Sequence, residues 1–134
     1  MNTVVLPLPL CGWLQQESRL GSPQEVCGLV LGQRQESVVR VHRVLAAENI
    51  AERPETGYLI DPEFYLQVEH QAADEGRSVV GVYHSHPMGK PVPSDTDLEL
   101  AWPDWSYVIV GADGTLRSWR LVEKRFVEEA IRLE

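Results

Sequence analysis

The pattern of apolar and polar residues along the chain predicts strands in some segments and helices in others. Val26 to Leu31 is a nearly continuous apolar run, and Ser37 to Leu45 alternates apolar with polar residues, so both predict strands, the first more buried. Val79 to Tyr83 is almost entirely apolar and predicts a central strand. Leu10 to Leu20 precedes a Gly-Ser-Pro sequence and predicts a short helix.

A second helix has the clearest boundaries. Asp61 is placed to cap it, Pro62 suits the first helical position, Glu63 lies at the positive end of the helix dipole, and Gly76 ends it. The preceding segment, 46–57, is polar and predicts a loop of about a dozen residues, a length that is uncommon unless the loop is mobile or functional.

The last third of the chain predicts a third helix and a hairpin. Ser94 begins the helix and Pro103 stops it, while Tyr107–Val110 and Leu116–Val122 flank an Asp-Gly turn typical of hairpins. The apolar side of this helix is expected to consist of Leu98, Ala101 and Trp102. The tail Phe126–Leu133 fits a helix or a strand equally well.

Together these elements predict one α/β or α+β domain over residues 1–134, a length typical of one domain. Twelve Lys and Arg against twenty Asp and Glu give a formal net charge of −8, without a basic cluster. This balance argues against nucleic acid or an anionic membrane as a partner, because such affinity comes largely from basic side chains. No apolar run approaches the ~20 residues that cross a bilayer.

The N-terminal segment favours a cytoplasmic protein. Val4 to Leu14 is interrupted by two prolines and a glycine and has no preceding basic region, so it is not typical of a signal peptide. Without export, Cys11 and Cys27 are expected to remain reduced thiols. The oligomeric state is not decided by the sequence, and a homodimer stays open.

The candidate chemistry lies just after the central strand. His84 and His86 are one residue apart at its end, where alternate side chains face the same side, so both imidazoles can reach one ion. Asp97 lies in the first turn of the third helix, which follows this strand. It is the nearest carboxylate expected to lie close to the end of the strand. Two histidines, a carboxylate and an open position are typical of catalytic zinc.

Simpler interpretations of the same residues stay open at this point. A His-x-His pair taken alone is more often two surface residues, and Ser94 with Asp97 resembles a capping box that only closes a helix. The two interpretations of Ser94 and Asp97 are compatible, because a capping serine and a first-turn carboxylate can still face a metal.

The complete spacing is more specific than any of its parts. The segment from His84 runs His-Ser-His, seven residues, Ser94, two residues, Asp97, and Glu25 lies upstream before an apolar strand. This resembles the JAMM motif of the MPN-domain metalloproteases, in which a glutamate precedes His-Ser/Thr-His, seven residues, a serine, two residues and an aspartate. The similarity continues through Tyr58–Pro62 to the C-terminal hairpin, and so covers nearly the entire chain.

The resemblance implies a fold and a set of roles. The fold would be a single MPN-type domain with a central mixed β-sheet flanked by helices, similar to cytidine deaminase. His84, His86 and Asp97 would hold one zinc ion per chain, Glu25 would be the general acid/base, and Ser94 would help stabilise the reacting carbonyl oxygen. The implied reaction is hydrolysis of the amide bond after the C-terminal Gly-Gly of a ubiquitin-like β-grasp protein.

The compact form is similar to bacterial members that process ubiquitin-like sulfur-carrier proteins, releasing cysteine or a short peptide in sulfur metabolism. A groove for the tail is expected beside the strand ending at His84, between the 46–57 loop and the Pro87–Pro93 loop, with the tail paired to an exposed strand edge. The alternatives are a deubiquitinase-like desampylase, a non-catalytic MPN scaffold and a structural zinc protein. The scaffold is disfavoured because no motif residue is missing, and the structural site because a fourth His or Cys is not evident.

Other chemically active residues have simpler interpretations. Cys27 begins a buried strand and is more typical of a small core residue than of a nucleophile. His42 and His70 are expected at the surface. Four aromatic residues are assigned to the core or its rim, without a functional role: Tyr83, Trp102, Trp105 and Trp119.

Overall fold

A computed structural model describes residues 2–134 and places seven strands and three helices in that range. The elements in chain order are β1 (Thr3–Leu6), α1 (Leu8–Gly21), β2 (Cys27–Gln35), β3 (Val38–Ala47), α2 (Pro62–Asp74), β4 (Ser78–Ser85), α3 (Asp95–Leu100), β5 (Ser106–Val110), β6 (Leu116–Val122) and β7 (Arg125–Leu133). No helix in residues 2–134 is long and apolar enough to span a membrane.

The strands form one mixed sheet that closes into a barrel in the order β1-β3-β2-β4-β5-β6-β7. The pairs β1–β3, β1–β7 and β4–β5 are parallel, and the other neighbours are antiparallel. The predicted mixed sheet with helices is therefore confirmed, and closure is an added feature. Because β4 has β2 on one side and β5 on the other, a peptide cannot pair with β4 itself.

Apolar clusters lie on both faces of β4, since successive side chains of a strand point to opposite faces. Tyr83 belongs to the cluster that includes Leu14 of α1, and Val82 belongs to the cluster that includes Val68 of α2. His84 follows Tyr83 and stacks on Tyr58, a member of the α2 cluster. The alternation along β4 therefore directs His84 away from α1.

The signals at the ends of α2 are confirmed. Asp61 caps the helix by accepting a hydrogen bond from the Glu63 amide at 2.9 Å, and Gly76 has a φ of 73° just past its C-terminus. The tail that fitted either state is strand β7, joined to β6 by Glu123 and Lys124, both with positive φ. This two-residue connection matches the right-handed twist of the strands it joins.

The predicted apolar side of the third helix is wrong. The helix ends at Leu100, Ala101 is its extended C-cap, and Trp102 lies beyond it with 65% of its surface exposed. Leu98 is also exposed. The chain leaves the helical conformation at Ala101, two residues before Pro103. Proline disfavours that conformation in Trp102, the residue before it, so the helix does not resume there. Asp97 is the buried residue of α3, so this helix buries a carboxylate instead of an apolar face.

Candidate metal centre and active site

The three predicted metal ligands converge at the end of β4. The Nε2 atoms of His84 and His86 lie 3.2 Å apart, and the Asp97 Oδ2 atom lies 3.2 Å from the first and 3.1 Å from the second. In a tetrahedral zinc site with bonds of ~2.0–2.1 Å, neighbouring ligand atoms are ~3.3 Å apart. The donor atoms therefore form a triangle of the size that a zinc ion requires.

Hydrogen bonding around this triangle indicates that a cation belongs within it. His86 Nδ1 lies 2.9 Å from the Lys90 carbonyl oxygen, which can only accept, so this nitrogen carries the proton and a neutral His86 presents a bare Nε2. The bare nitrogen faces Asp97 Oδ2, which is also an acceptor. Two acceptors at 3.1 Å repel each other, so either a proton or a metal ion lies between them. With the proton, His86 is a positively charged imidazolium that donates to Asp97, and a bound metal ion would take the place of that proton.

Burial affects the protonation of the three candidate ligands. His84 is fully buried, and burial lowers the pKa of its imidazole. Burial acts in the same direction on His86, but the hydrogen bonds with Asp97 and the Lys90 carbonyl outweigh it and raise the pKa. Burial would raise the pKa of Asp97, yet its hydrogen bonds with both histidines hold that pKa well below the usual range. The site thus keeps an ionised carboxylate beside two imidazoles.

The two histidine rings are held by different contacts. Metal-ligating histidines usually donate their second N–H to an acceptor, as His86 does to Lys90. The buried Nδ1 of His84 has no hydrogen-bond partner in residues 2–134, and its ring instead stacks on Tyr58 with centroids 4.4 Å apart. Neither the Tyr58 stack nor the Lys90 carbonyl carried a local signal in the sequence.

Ser94 and Asp97 form the predicted capping box at the start of α3. The Asp97 amide donates to Ser94 Oγ at 3.1 Å, and the Ser94 amide donates to Asp97 Oδ2 at 2.9 Å. The same Oδ2 atom faces both histidines, so one carboxylate oxygen serves the helix start and the ligand triangle. Because Ser94 Oγ accepts from the amide, its own proton is free for another acceptor.

Glu25 lies beside the ligands on the short segment between α1 and β2. One carboxylate oxygen of Glu25 and the ligand atoms of the other three residues all lie within 4.8 Å of one another. Burial raises the pKa of Glu25 to about 7, the positive charge of His86 opposes this rise, and Asp97 adds to it. A carboxyl group with a pKa near 7 suits a residue that takes up and releases protons at neutral pH.

Comparisons with known proteins agree with this geometry. The family described as prokaryotic homologs of the JAB domain matches residues 12–122. The chain belongs to this family. The JAMM/MPN resemblance is confirmed, and so is the expectation of a hydrolase of peptide or isopeptide bonds.

Relatives of this JAB domain include named peptidases. A desampylase from Haloferax volcanii is 36% identical over 114 residues, which are 84% of this chain and 80% of that protein. A CysO-cysteine peptidase from Mycobacterium tuberculosis is 33% identical over 133 residues, covering 96% and 89% of the two chains. A solution structure from Desulfitobacterium hafniense has a TM-score of 0.87 at 28% identity, covering 98% of this chain and 92% of that one.

The loops that were expected to wall a groove in this JAB domain both lie against the site. Within the 46–57 loop, the Pro54 carbonyl accepts from the Glu25 amide at 2.7 Å. In the Pro87–Pro93 loop, Lys90 contacts His86, and Pro91 accepts from the Trp119 indole N–H at 3.0 Å.

Beside Tyr58, a cavity of about 380 Å³ opens between α2 and the segment after α3. Its apolar lining includes Leu59, Ile60, Tyr65, Leu100, Trp102 and Trp105.

The remaining assignments mostly match their simpler interpretations. Cys27 is a buried core residue, Cys11 is half-buried, and both are free thiols. His42 and His70 are exposed, and Tyr83 is buried in the core. Trp102 is outside the core, since 65% of its surface is exposed, and it lines the edge of the cavity beside Trp105.

Proposed function

We propose that this chain is a zinc peptidase that cleaves the amide bond after the C-terminal Gly-Gly of a ubiquitin-like or sulfur-carrier protein. The released group would be cysteine or a short peptide, in sulfur or cysteine metabolism of the cytoplasm. One observation carries the proposal: Glu25, distant in sequence, converges with His84, His86 and Asp97, and one ligand atom from each lies within 4.8 Å of the others.

The proposed ligands for the ion are His84, His86 and Asp97. When bound, zinc would lower the pKa of a water molecule to about 7 and polarise a substrate carbonyl. Two nitrogens and one oxygen leave a fourth tetrahedral position for that chemistry, in contrast to the closed ligand sets of structural zinc sites.

The proposed general acid/base is Glu25. Its carboxylate, which a bound cation would help to keep ionised, would accept the proton of the attacking water and later deliver it to the departing amine. The Glu25 Oε1 atom is buried and has no hydrogen-bond partner within residues 2–134. An oxygen with no competing partner is available for the water and then for the amine.

Ser94 is the proposed donor to the substrate. Its hydroxyl proton is free because its oxygen accepts from the Asp97 amide, and it can therefore donate to the carbonyl oxygen as negative charge develops there. This interaction is strongest in the transition state, so Ser94 would contribute to turnover more than to metal binding.

The names of the relatives support the substrate class. One is a CysO-cysteine peptidase, one is a desampylase, and a probable TtuB-protein conjugate cleaving protease from Thermus thermophilus is 38% identical over 76% of this chain and 65% of its own length. A Gly-Gly tail also fits physically, because a backbone without side chains can enter a narrow groove.

The tail would pair with backbone that the barrel leaves free near the site. β4 is paired on both edges, whereas β1 covers only Val38–Arg40 of β3. The rest of β3 runs to Ala47, so the strand includes the first two residues of the predicted 46–57 loop. The remainder of this loop contacts Glu25. The end of β3 and this loop are therefore the proposed edge for an extended tail.

The folded body of the carrier would dock on the apolar surface around the cavity, made of Leu59, Leu100 and Trp102. All three side chains are exposed although they are large and apolar. Clustered exposed apolar residues beside a site are typical of a surface that binds another protein. This surface adjoins the ligand triangle through Tyr58, which lines the cavity and stacks on His84.

Product masses test the proposal directly. The zinc-loaded protein is incubated with β-grasp carriers whose Gly-Gly tail is joined either to cysteine or to a lysine side chain. We expect a carrier ending in Gly-Gly, and the preferred adduct distinguishes the cysteine-releasing enzyme from a desampylase-like one. Chelator and the His84→Ala variant should both stop the reaction, whereas His42→Ala, at an exposed histidine, should not. Failure to cleave either adduct, or cleavage that survives metal removal, would contradict the proposal.

A further inference from the structure

Asn49, in the 46–57 loop, uses its whole side-chain amide in hydrogen bonds. Its Nδ2 group donates to the Glu25 carbonyl at 2.9 Å and to the Gly57 carbonyl at 3.0 Å. Its Oδ1 atom accepts from the amides of Ala51 and Leu59, both at 3.1 Å. An asparagine amide has two N–H groups and two lone pairs, so every bonding position of Asn49 is filled.

These bonds join the main chain of Glu25 to both arms of the loop. The Glu25 carbonyl accepts from Asn49, and the Glu25 amide donates to the Pro54 carbonyl at 2.7 Å, so the loop holds this residue from both sides. The carboxylate receives no comparable support at Oε1, which has no partner in residues 2–134. The position of that carboxylate therefore depends on how firmly the main chain is anchored.

We infer that Asn49 is a positioning residue that holds Glu25 in place for proton transfer by tying it to the loop beside the site. The inference rests on the proposed function only for its effect on turnover. Its structural part, that Asn49 anchors the Glu25 main chain, holds whichever substrate is cleaved.

The expected effect is a loss of turnover with the metal retained. A displacement of about 1 Å at a reacting group can cost ~10²-fold in rate, so Asn49→Ala should lower kcat about 10- to 100-fold. Zinc content should stay at the unmodified level, because none of the four hydrogen bonds involves His84, His86 or Asp97.

A second variant separates anchoring of Glu25 from folding of the loop. Asn49→Asp keeps oxygens that can accept from Ala51 and Leu59 but has no N–H for the Glu25 carbonyl. We expect kcat to fall in this variant as well, while the amides of Ala51 and Leu59 stay protected from hydrogen exchange. Thr56→Ala is the matched control, because Thr56 bonds only to Arg53 within the same loop.

Three measurements decide the inference: kcat and KM on the best adduct, zinc per chain, and hydrogen exchange of the Glu25, Ala51 and Leu59 amides. A fall in kcat for both Asn49 variants with full zinc, and faster exchange at Glu25 in Asn49→Ala, would support it. Unchanged kcat, an effect confined to KM, lost zinc or unchanged exchange at Glu25 would overturn it. An unmodified protein that cleaves no adduct refutes the proposed function instead, and exchange at Glu25 still decides the anchoring role.

Discussion

Two glutamates of this barrel are buried almost equally, and their oxygen atoms have opposite surroundings. Glu25 is 7% exposed and Glu129 is 3% exposed. Glu129 Oε1 accepts from Ser106 Oγ at 3.2 Å and its Oε2 accepts from Ser118 Oγ at 2.8 Å. Glu25 Oε1 has no partner among the described residues. Burial of a carboxylate is thus common to both places, and an unsatisfied oxygen distinguishes the catalytic candidate.

The charged groups around the two glutamates also differ. Arg34 donates to Ser106 Oγ at 3.2 Å and so extends the Glu129 network to a guanidinium group. The charged groups that shift the pKa of Glu25 are His86 and Asp97, one of which is another acid. The Glu129 carboxylate receives its hydrogen bonds from side chains of the protein. The Glu25 carboxylate has no such donor at Oε1, so a bound cation or a proton would stabilise it.

Glu25→Gln should cause the largest loss of cleavage rate, because it alters the glutamate that is the catalytic candidate. The amide cannot accept the water proton, and loss of general acid/base catalysis typically costs ~10²–10⁴-fold in rate. Zinc should be retained, because the three proposed ligands are unchanged. Cleavage rate and zinc per chain are measured together, with Glu52→Gln in the exposed part of the loop as the control. A variant that keeps full activity would remove Glu25 from the mechanism.

Ser94→Ala comes next in expected size. Loss of one donor to a developing oxyanion typically costs ~10²–10³-fold in kcat. The same change removes the helix cap, which is worth about 1 kcal/mol of stability, so the thermal midpoint should fall slightly. Ser94→Thr keeps both the cap and a hydroxyl and should retain most of the turnover. Equal turnover in the alanine variant and the unmodified protein would leave Ser94 with the capping role alone.

Local sequence signals predicted the elements that carry the candidate site. Asp61 and Ser94 cap the helices they were expected to cap, and β4 ends at the two histidines. The motif spacing is itself local to this short segment, which explains why the sequence alone could predict that His84, His86 and Asp97 lie together. Glu25 came only from the family resemblance, because a single glutamate has no distinguishing local pattern.

What the sequence did not reveal depends on partners distant in the chain. β1 is four residues long and pairs in parallel with β3 and β7, neither of which is its neighbour in sequence. In β7, Glu129 is buried while Val127 is exposed, which reverses the polarity that normally identifies a strand. The contacts of Asn49 with Glu25 join residues 24 positions apart and carry no periodic signal.

The free energy of unfolding of the metal-free protein, measured as a function of pH, tests the effect of burial on Glu25. The pKa of Glu25 is raised from 4.5 to about 7 in the folded state, so its protonated form is favoured there. Stability from this group is full below pH 4.5 and is lost as pH rises to about 7, a loss of roughly 3 kcal/mol. At pH 8, metal-free Glu25→Gln should therefore unfold at a higher urea concentration than the unmodified protein. At pH 4, the two proteins should unfold at similar urea concentrations. A difference that is the same at both pH values would contradict the assigned burial effect.

Ser118→Ala tests the other glutamate and should have the smallest effect on function. Removing the Ser118 hydroxyl leaves the buried Glu129 Oε2 without its donor, which typically costs about 1–3 kcal/mol of unfolding free energy. Ser37→Ala, at an exposed serine, should cost almost nothing. Cleavage by folded Ser118→Ala protein should match the unmodified rate, because Ser118 serves only the Glu129 cluster. If urea unfolding is unchanged but cleavage falls, the division between a satisfied structural carboxylate and an unsatisfied catalytic one does not describe this barrel.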